Sequence, residues 1–489
     1  MRSLRLVAIL AIPAQFAAAQ QTPAGGVGTT LSLEQAISIA QQNNPALAQT
    51  KNSLRNADAQ VRSAYGALLP TSNLQFGTSY TQGGTQFVQG VALPTNPDVY
   101  SSRYFIGLNY NISAAAAYVP RAAKANRAAA QADITNATEL LRSTITQDYI
   151  TALQSEAQAA VADTLVQTAQ GQLQLVNAKL EVGAGTIIDV RGAEVALGQA
   201  QVQALTGHNT ARISKVRLFQ DMGVAPDVDA KLTTTFTVAL PSFTLDSLIS
   251  LAQRSNPDLA ARKSREYSSQ QQIRVQQSNY LPFISLGTGY GAQASGYANA
   301  QALADQAVSG AASQYKSCVA SDSLRVGAGL AARGCGTGTL SASQLDAIRA
   351  SNKPWSFNKA PYSLSASLSL PIFNGFAREA GIEQARVAHD NALFDVKARS
   401  LQLTTDVTTQ YLNLVTAVKT VELNTQIAQK AAEDLALSEA SFKVGAKTFL
   451  DVTQARGLYE QAQINQVNAI YDYHRIFAAL ESAVGRPLR

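Results

Sequence analysis

The residues of this 489-residue chain that could carry chemistry are few: two cysteines, three histidines, a lysine in a Gly-Ala-Lys-Thr run, and aspartates in a duplicated stretch. His208, His389 and His474 lie far apart in helical sequence, with no HExxH spacing and no cysteine converging on them. Cys318 and Cys335 sit together in a Gly/Ala/Ser-rich segment, and two thiols without a nearby histidine leave a four-ligand metal shell incomplete. In an exported chain such a pair is expected to form one disulfide closing a surface loop. Gly445-Ala446-Lys447-Thr448 resembles the end of a phosphate-binding loop, but the upstream glycine is missing and a helix precedes it where a strand is required. No GxSxG elbow is present. The expectation is therefore a non-enzyme without metal or cofactor. What remains is the duplicated stretch, "VGAGTIIDV" from Val182 to Val190 and "VGAKTFLDV" from Val444 to Val452, each ending on an aspartate.

That stretch belongs to a larger duplication. Leu31–Leu47, "LSLEQAISIAQQNNPAL", matches Phe243–Leu259, "FTLDSLISLAQRSNPDL"; Leu69-Pro70 answers Leu281-Pro282, and Gly223 answers Gly485. The second copy carries extra residues between Gly289 and Tyr362, cysteines included. The division expected is a signal peptide over 1–19, a flexible start over 20–30, repeat 1 over 31–230, a linker over 231–242 and repeat 2 over 243–489, with an inserted loop over about 291–360. The signal rests on Arg2 and Arg5 before the apolar run Leu6–Ile12 and on Ala17-Ala18-Ala19 before Gln20. No cysteine follows the cleavage site, so no lipid anchor is expected. The basic residues behind the net charge of +6 are scattered rather than clustered, which argues against nucleic acid as a partner.

Each repeat opens with a capped helix (Ser32 with Glu34, Thr244 with Asp246), breaks at Asn44-Pro45 or Asn256-Pro257, and then shows strand-like alternation. "YSLSASLSLPI" places Tyr362, Leu364, Ala366, Leu368, Leu370 and Ile372 on one face and mostly serine on the other, and "IGLNYNI" does likewise with Ile106, Leu108, Tyr110 and Ile112. Long proline-free segments rich in Ala, Gln, Leu and Glu follow, predicting helices of roughly 100 Å. Val182-Gly183 and Val444-Gly445 would stop those helices, and Thr186 and Thr448 would start the next. Apolar-out, polar-in strands are the mark of an outer-membrane barrel. Two per repeat give four per chain, too few to close, so the chain must oligomerise. Tyr104, Phe105, Tyr280, Phe283, Trp355 and Phe373 are expected as interfacial aromatics facing outer-membrane lipid.

These residues resemble the TolC-like outer-membrane efflux proteins, or outer membrane factors, through "LSLEQAISIAQQNNP", "SLPIFNGF", the paired VGxxTxxDV turns and the closing "ALESAVGRPL". The resemblance implies an α+β membrane protein: a homotrimer whose twelve-stranded β-barrel, four strands per chain, continues as a long α-helical periplasmic tunnel. It implies an exit duct for a tripartite efflux or type I secretion system, served by an inner-membrane pump or ABC transporter and a periplasmic adaptor (membrane fusion protein). By position Asp451 matches the family's acidic periplasmic constriction, with Gln454 where a second acid is usual. A ring of three Asp451 carboxylates favours cations and raises its own pKa by mutual repulsion. Lys447 and Asp189 match a latch between neighbouring hairpins, in which Phe442 replaces the usual tyrosine. Val182, Gly183, Thr186, Val444, Gly445 and Thr448 fall in the turns an adaptor grips. Asn111, where repeat 2 has Pro371, departs from the pattern. The competing reading is a non-conducting periplasmic coiled-coil scaffold, against which the lipid-type strands speak.

Overall fold

The computed structural model describes residues 30–84, 87–88, 90–92, 97–239, 243–353, 355–359 and 361–488. The expected signal peptide, residues 20–29 of the expected flexible start and residues 240–242 of the expected linker lie outside them. Repeat 1 comprises β1 (Thr30–Leu31, starting one residue before the expected boundary), α1 (Leu33–Asn43), α2 (Pro45–Gly66), β2 (Thr71–Thr81), β3 (Phe87–Val88), β4 (Val91–Ala92), β5 (Val99–Ser113), α3 (Ala115–Glu181) and α4 (Ile187–Met222), and β6 (Lys231–Leu232) follows in the expected linker. Repeat 2 comprises α5 (Leu245–Ser255), α6 (Pro257–Ser278), β7 (Phe283–Tyr297), α7 (Ala300–Gly327), α8 (Ala342–Ser351), β8 (Asn358–Lys359), β9 (Ser363–Ser369), α9 (Ala377–Lys443) and α10 (Phe449–Val484). No helix among the described residues is long and apolar enough to cross a membrane.

The chain divides into two compact units, the first holding residues up to Asp58, Ala125–Ser268 and His389–Arg489, the second Ala59–Lys124 and Ser269–Ala388. In the first unit each repeat builds its own core. Leu31, Ala36, Ile145, Tyr149, Leu218, Phe219 and Met222 form one, and Leu248, Leu403, Val407, Leu414, Tyr473, Phe477 and Leu480 form the other. The Asn-Pro breaks position both. Asn44 and Asn256 are extended, as a residue before proline must be, and each side chain works twice. The amide of Asn44 donates to the Asp221 carbonyl (2.8 Å) while its oxygen accepts from Leu47 N–H (3.0 Å). Asn256 repeats this with Ala483 (2.9 Å) and Leu259 (3.0 Å). One residue type thus starts the second helix and ties it to the end of α4 or α10.

In the second unit β2, β5, β7 and β9 lie side by side, every adjacent pair antiparallel, with β8 also pairing with β7. The register keeps the alternation: Leu74 pairs with Ile106, Ile106 with Tyr290, Leu286 with Ala366 and Ile284 with Leu368. One face therefore carries Leu74, Ile106, Leu108, Leu286, Leu364 and Leu368, all exposed. Phe105 and Phe283 fall on the other face, because they are the neighbours of Tyr104 and Ile284 and successive side chains of a strand alternate; the expectation that these two face lipid is corrected here. Trp355 stacks against Phe76 (6.3 Å between centroids), which shares the apolar face.

The segment expected as an inserted loop is structured. β7 runs on to Tyr297, and α7 and α8 follow, with Asn299 and Ser341 capping them. The alanine content that suggests a loop when mixed with Gly and Ser is also the strongest helix former. Cys318 and Cys335 are joined in a disulfide, Cα–Cα 5.7 Å. Asp322 accepts the N–H groups of Arg333 (2.9 Å) and Gly334 (3.0 Å) beside it. At its base Asn352 clips the segment to β7, accepting from Tyr297 N–H and donating to its carbonyl, both 2.8 Å.

Candidate functional site

Both duplicated stretches form the turn between two long antiparallel helices. α3 and α9 are each 67 residues, and each ends on a glycine in the left-handed region, Gly183 (φ 75°) and Gly445 (φ 82°). Ala184 N–H then reaches back to the Lys179 carbonyl (2.8 Å), and Ala446 N–H to the Ser441 carbonyl (2.8 Å), which satisfies carbonyls the helix leaves open. Val182 and Val444 stand out at the tips, 78% and 81% exposed. The two tips thus present the same apolar side chain to solvent on turns of the same geometry.

Thr186 and Thr448 cap the returning helices α4 and α10 with matching geometry. Asp189 Oδ2 accepts from Thr186 N–H (3.1 Å) and its hydroxyl (2.7 Å), while the Thr186 oxygen accepts from Asp189 N–H (3.2 Å). Asp451 does the same with Thr448, at 2.8, 2.7 and 3.3 Å. The hydrogen bonds from Thr448 to the Asp451 carboxylate, with a smaller contribution from Lys447, hold it below the usual carboxylate range. Within one chain this is the reverse of the rise expected from a carboxylate ring. Gln454 is exposed on the next turn of α10.

The structure does not bring Lys447 and Asp189 together. Lys447 Nζ donates to the hydroxyl of buried Ser438 (2.8 Å), and Asp189 is held by Thr186. What joins the two hairpins is a cluster of Val176, Val190, Ala193, Leu435, Phe442, Val452 and Ala455. Phe442 is buried in it, so the missing phenol is replaced by packing. The lysine at this contact is Lys179, which sequence reasoning missed: its Nζ lies 3.9 Å from the centre of the Phe442 ring and donates to the Phe442 carbonyl. Phe449 packs over Gly192, where a Cβ would meet the ring at 2.9 Å.

A second feature without a sequence signal is Asp148 on α3. Burial, then the hydrogen bond and charge of Asp221, push its carboxyl up to about 7, opposed by Arg217. The disulfide leaves neither Cys318 nor Cys335 as a thiolate for the metal-type grouping they make with Asp322.

The chain combines long capped hairpins with strands that have one apolar and one small polar face. Residues 36–224 and 336–486 match the model of the family described as outer membrane efflux protein. The chain belongs to that family. It is 23% identical over 461 residues to outer membrane protein TolC of Vibrio cholerae, covering 93% of this chain and 90% of that protein. Its fold is that of VceC from Vibrio cholerae (TM-score 0.68, 17% identity, 94% and 97% of the two chains) and of the CmeC outer membrane channel of Campylobacter jejuni (TM-score 0.69, 14% identity, 93% and 85%). As an outer membrane efflux protein the chain supplies four strands to a trimeric twelve-stranded barrel and long helices to the tunnel that continues it. It lies in the outer membrane, extends into the periplasm, and acts as a channel rather than an enzyme.

Proposed function

We propose that this outer membrane efflux protein is the exit duct of a tripartite efflux or type I secretion system. It would take substrate from an inner-membrane transporter through a periplasmic adaptor and release it outside the cell. The observation that carries this reading is the pair of tips: two glycine-stopped, threonine-capped turns presenting Val182 and Val444 to solvent. A non-conducting scaffold has no use for lipid-facing strands as well. In the duct, the adaptor covers Val182, Gly183, Thr186, Val444, Gly445 and Thr448. Asp451 rings the periplasmic constriction, with Gln454 one turn further along α10. The capping bonds keep Asp451 ionised, so cap and gate are compatible roles: Thr448 bonds Oδ2 and leaves Oδ1 for a passing cation. Lys447 and Asp189 act as a latch only between hairpins of different copies, since within one chain each has another partner.

Val182→Asp with Val444→Asp separates the parts of this reading. The purified variant trimer is expected to conduct in planar bilayers like the wild type, while cells carrying it lose export as completely as cells lacking the protein. Full export by the variant would sink the role assigned to the tips.

A further inference from the structure

The four long strands β2, β5, β7 and β9 contain one charged residue, Arg103. It lies on β5, opposite Gly77 of β2 and Gln293 of β7, on the face that carries Ser101, Asn109, Ser295 and Ser365 rather than the leucines. In an outer-membrane barrel that polar face is the lumen. Its position is nearer the β5 end that begins at Val99 than the end at Ser113 that leads into α3, so it belongs to the half of the barrel away from the periplasmic helices. Arg103 is exposed and has no ion pair among the described residues. The nearest acid in sequence, Asp98, is taken up by the Tyr80 hydroxyl and Gly83 N–H (2.7 Å). Arg103 lines a hollow of about 460 Å³ with Ser101, Gln293 and Ser295, all hydrogen-bonding side chains of no charge.

Two residues along the same face stands Phe105, an aromatic that alternation turns inward. Its ring lies flat over a floor cleared for it: a Cβ at Gly107 would meet the ring at 2.6 Å, and one at Gly289 or Gly291 would also run into it. A phenylalanine on a polar wall, bedded on three glycines and still 37% exposed, is a fixed aromatic surface open to the lumen.

Resting on the duct reading, we propose that three copies of Arg103 form a cationic girdle in the outer half of the barrel. With Phe105 beside it, the girdle favours passage of small organic anions that carry an apolar ring, such as aromatic carboxylates. Rings of Arg or Lys select anions as acidic rings select cations. Twelve strands about 4.8 Å apart and tilted about 40° close to roughly 24 Å across at the backbone, so the barrel axis is about 12 Å from each strand. The Debye length is about 10 Å at 0.1 M salt and about 3 Å at 1 M. The girdle therefore acts across the whole lumen at low salt and only near the wall at high salt. Repeat 2 has Ser363 at the position matching Arg103, so the trimer carries three such charges, not six.

The test is the reversal potential of full-length trimers in planar bilayers under a tenfold potassium chloride gradient, centred near 0.1 M and then near 1 M. Arg103→Gln is expected to lower the chloride-to-potassium permeability ratio at least threefold at low salt, with Arg103→Lys keeping most of the wild-type value and 1 M salt erasing the difference. Replacing chloride by benzoate or acetate is expected to show benzoate favoured in the wild type and the preference lost in Phe105→Ser. A conducting wild type whose reversal potential Arg103→Gln leaves unmoved overturns the girdle alone. Equal benzoate and acetate permeability in the wild type overturns the aromatic part. A wild-type trimer that inserts but does not conduct overturns the duct reading and the girdle with it.

Discussion

The two repeats of this chain share a backbone but not a function. Where geometry leaves no choice they agree: Asn44 and Asn256 make the same pair of side-chain hydrogen bonds, and Gly223 and Gly485 end the return helices in the left-handed region (φ 74° and 84°). Thr186 and Thr448 sit in the same capping box. Where the fold tolerates variation they part. Repeat 1 has Lys179 over Phe442 of repeat 2, and the position matching Lys179 is Ser441. Repeat 1 has Arg103 on its strand and repeat 2 has Ser363; repeat 2 alone has α7 and α8, with a disulfide that ties α7 to the stretch following it. Duplicated residues mark where the chain must turn, and unmatched residues mark where one repeat does something the other does not.

The sharpest way to break this comparison is at the matched glycines. A Cβ at Gly223 would meet the Asn43 carbonyl oxygen at 2.6 Å, and one at Gly485 would meet Pro257 at 2.6 Å, both in the left-handed region. Gly223→Ala and Gly485→Ala are each expected to cost about 2–4 kcal/mol. Gly183→Ala and Gly445→Ala, with open space around the Cβ, are expected to cost only about 1–2 kcal/mol from the backbone alone. Thermal midpoints of the detergent-solubilised trimer check the ranking, and equal losses at tip and base would refute it.

Next in size is the unmatched pair. Lys179→Ala is expected to cost about 1–2 kcal/mol through the ring contact and the carbonyl bond. Ser441→Ala at the matching site of repeat 2 is expected to stay within about 0.5 kcal/mol. Similar midpoints for the two variants would show that Lys179 adds nothing special. Removing the caps separately, Thr186→Ala and Thr448→Ala, is expected to cost about 1 kcal/mol each, since each threonine makes the same set of three capping hydrogen bonds.

The last effect is one of pH. Asp148 has its carboxyl raised to about 7 in the folded chain, so between the ordinary carboxylate range and about 7 the folded state holds a proton the unfolded state has lost. Stability contributed by this group is present at low pH and is lost as pH rises through about 7. Asp148→Asn is therefore expected to stabilise the trimer at pH 8 and to be near neutral at pH 4. The matching position in repeat 2 is Gln410, which cannot titrate, and Gln410→Ala is expected to show no such pH dependence. Asp451 has the opposite sign. Its capping contribution holds at neutral pH and disappears only as pH falls through its lowered pKa.

Much of this was legible in the residues, because local geometry writes itself locally. Period-two alternation fixes which face of β9 is apolar, the VGxxTxxD stretch encodes a helix stop and a cap within a few residues, and repetition shows which signals belong together. Phe105 was legible too: alternation alone turns it away from Tyr104, and grouping aromatics by closeness in sequence obscures that. The helices of the inserted segment were not, since alanine mixed with glycine and serine suits loop and helix alike until Asn299, Asn352 and the disulfide fix the ends. Contacts between hairpins were the least legible. Lys179 with Phe442, and Asp148 with Asp221, depend on which helix faces join, and no single helix's pattern states that.

The most direct measurement of the duct itself is single-channel recording of the purified trimer in a planar bilayer, wild type beside Asp451→Ala. Stable openings are expected from both, with the reversal potential of Asp451→Ala shifted away from cation preference as three carboxylates leave the constriction proposed for them. Silence from a trimer shown to be inserted, or identical selectivity in the two proteins, would contradict the duct in the first case and its acidic constriction in the second.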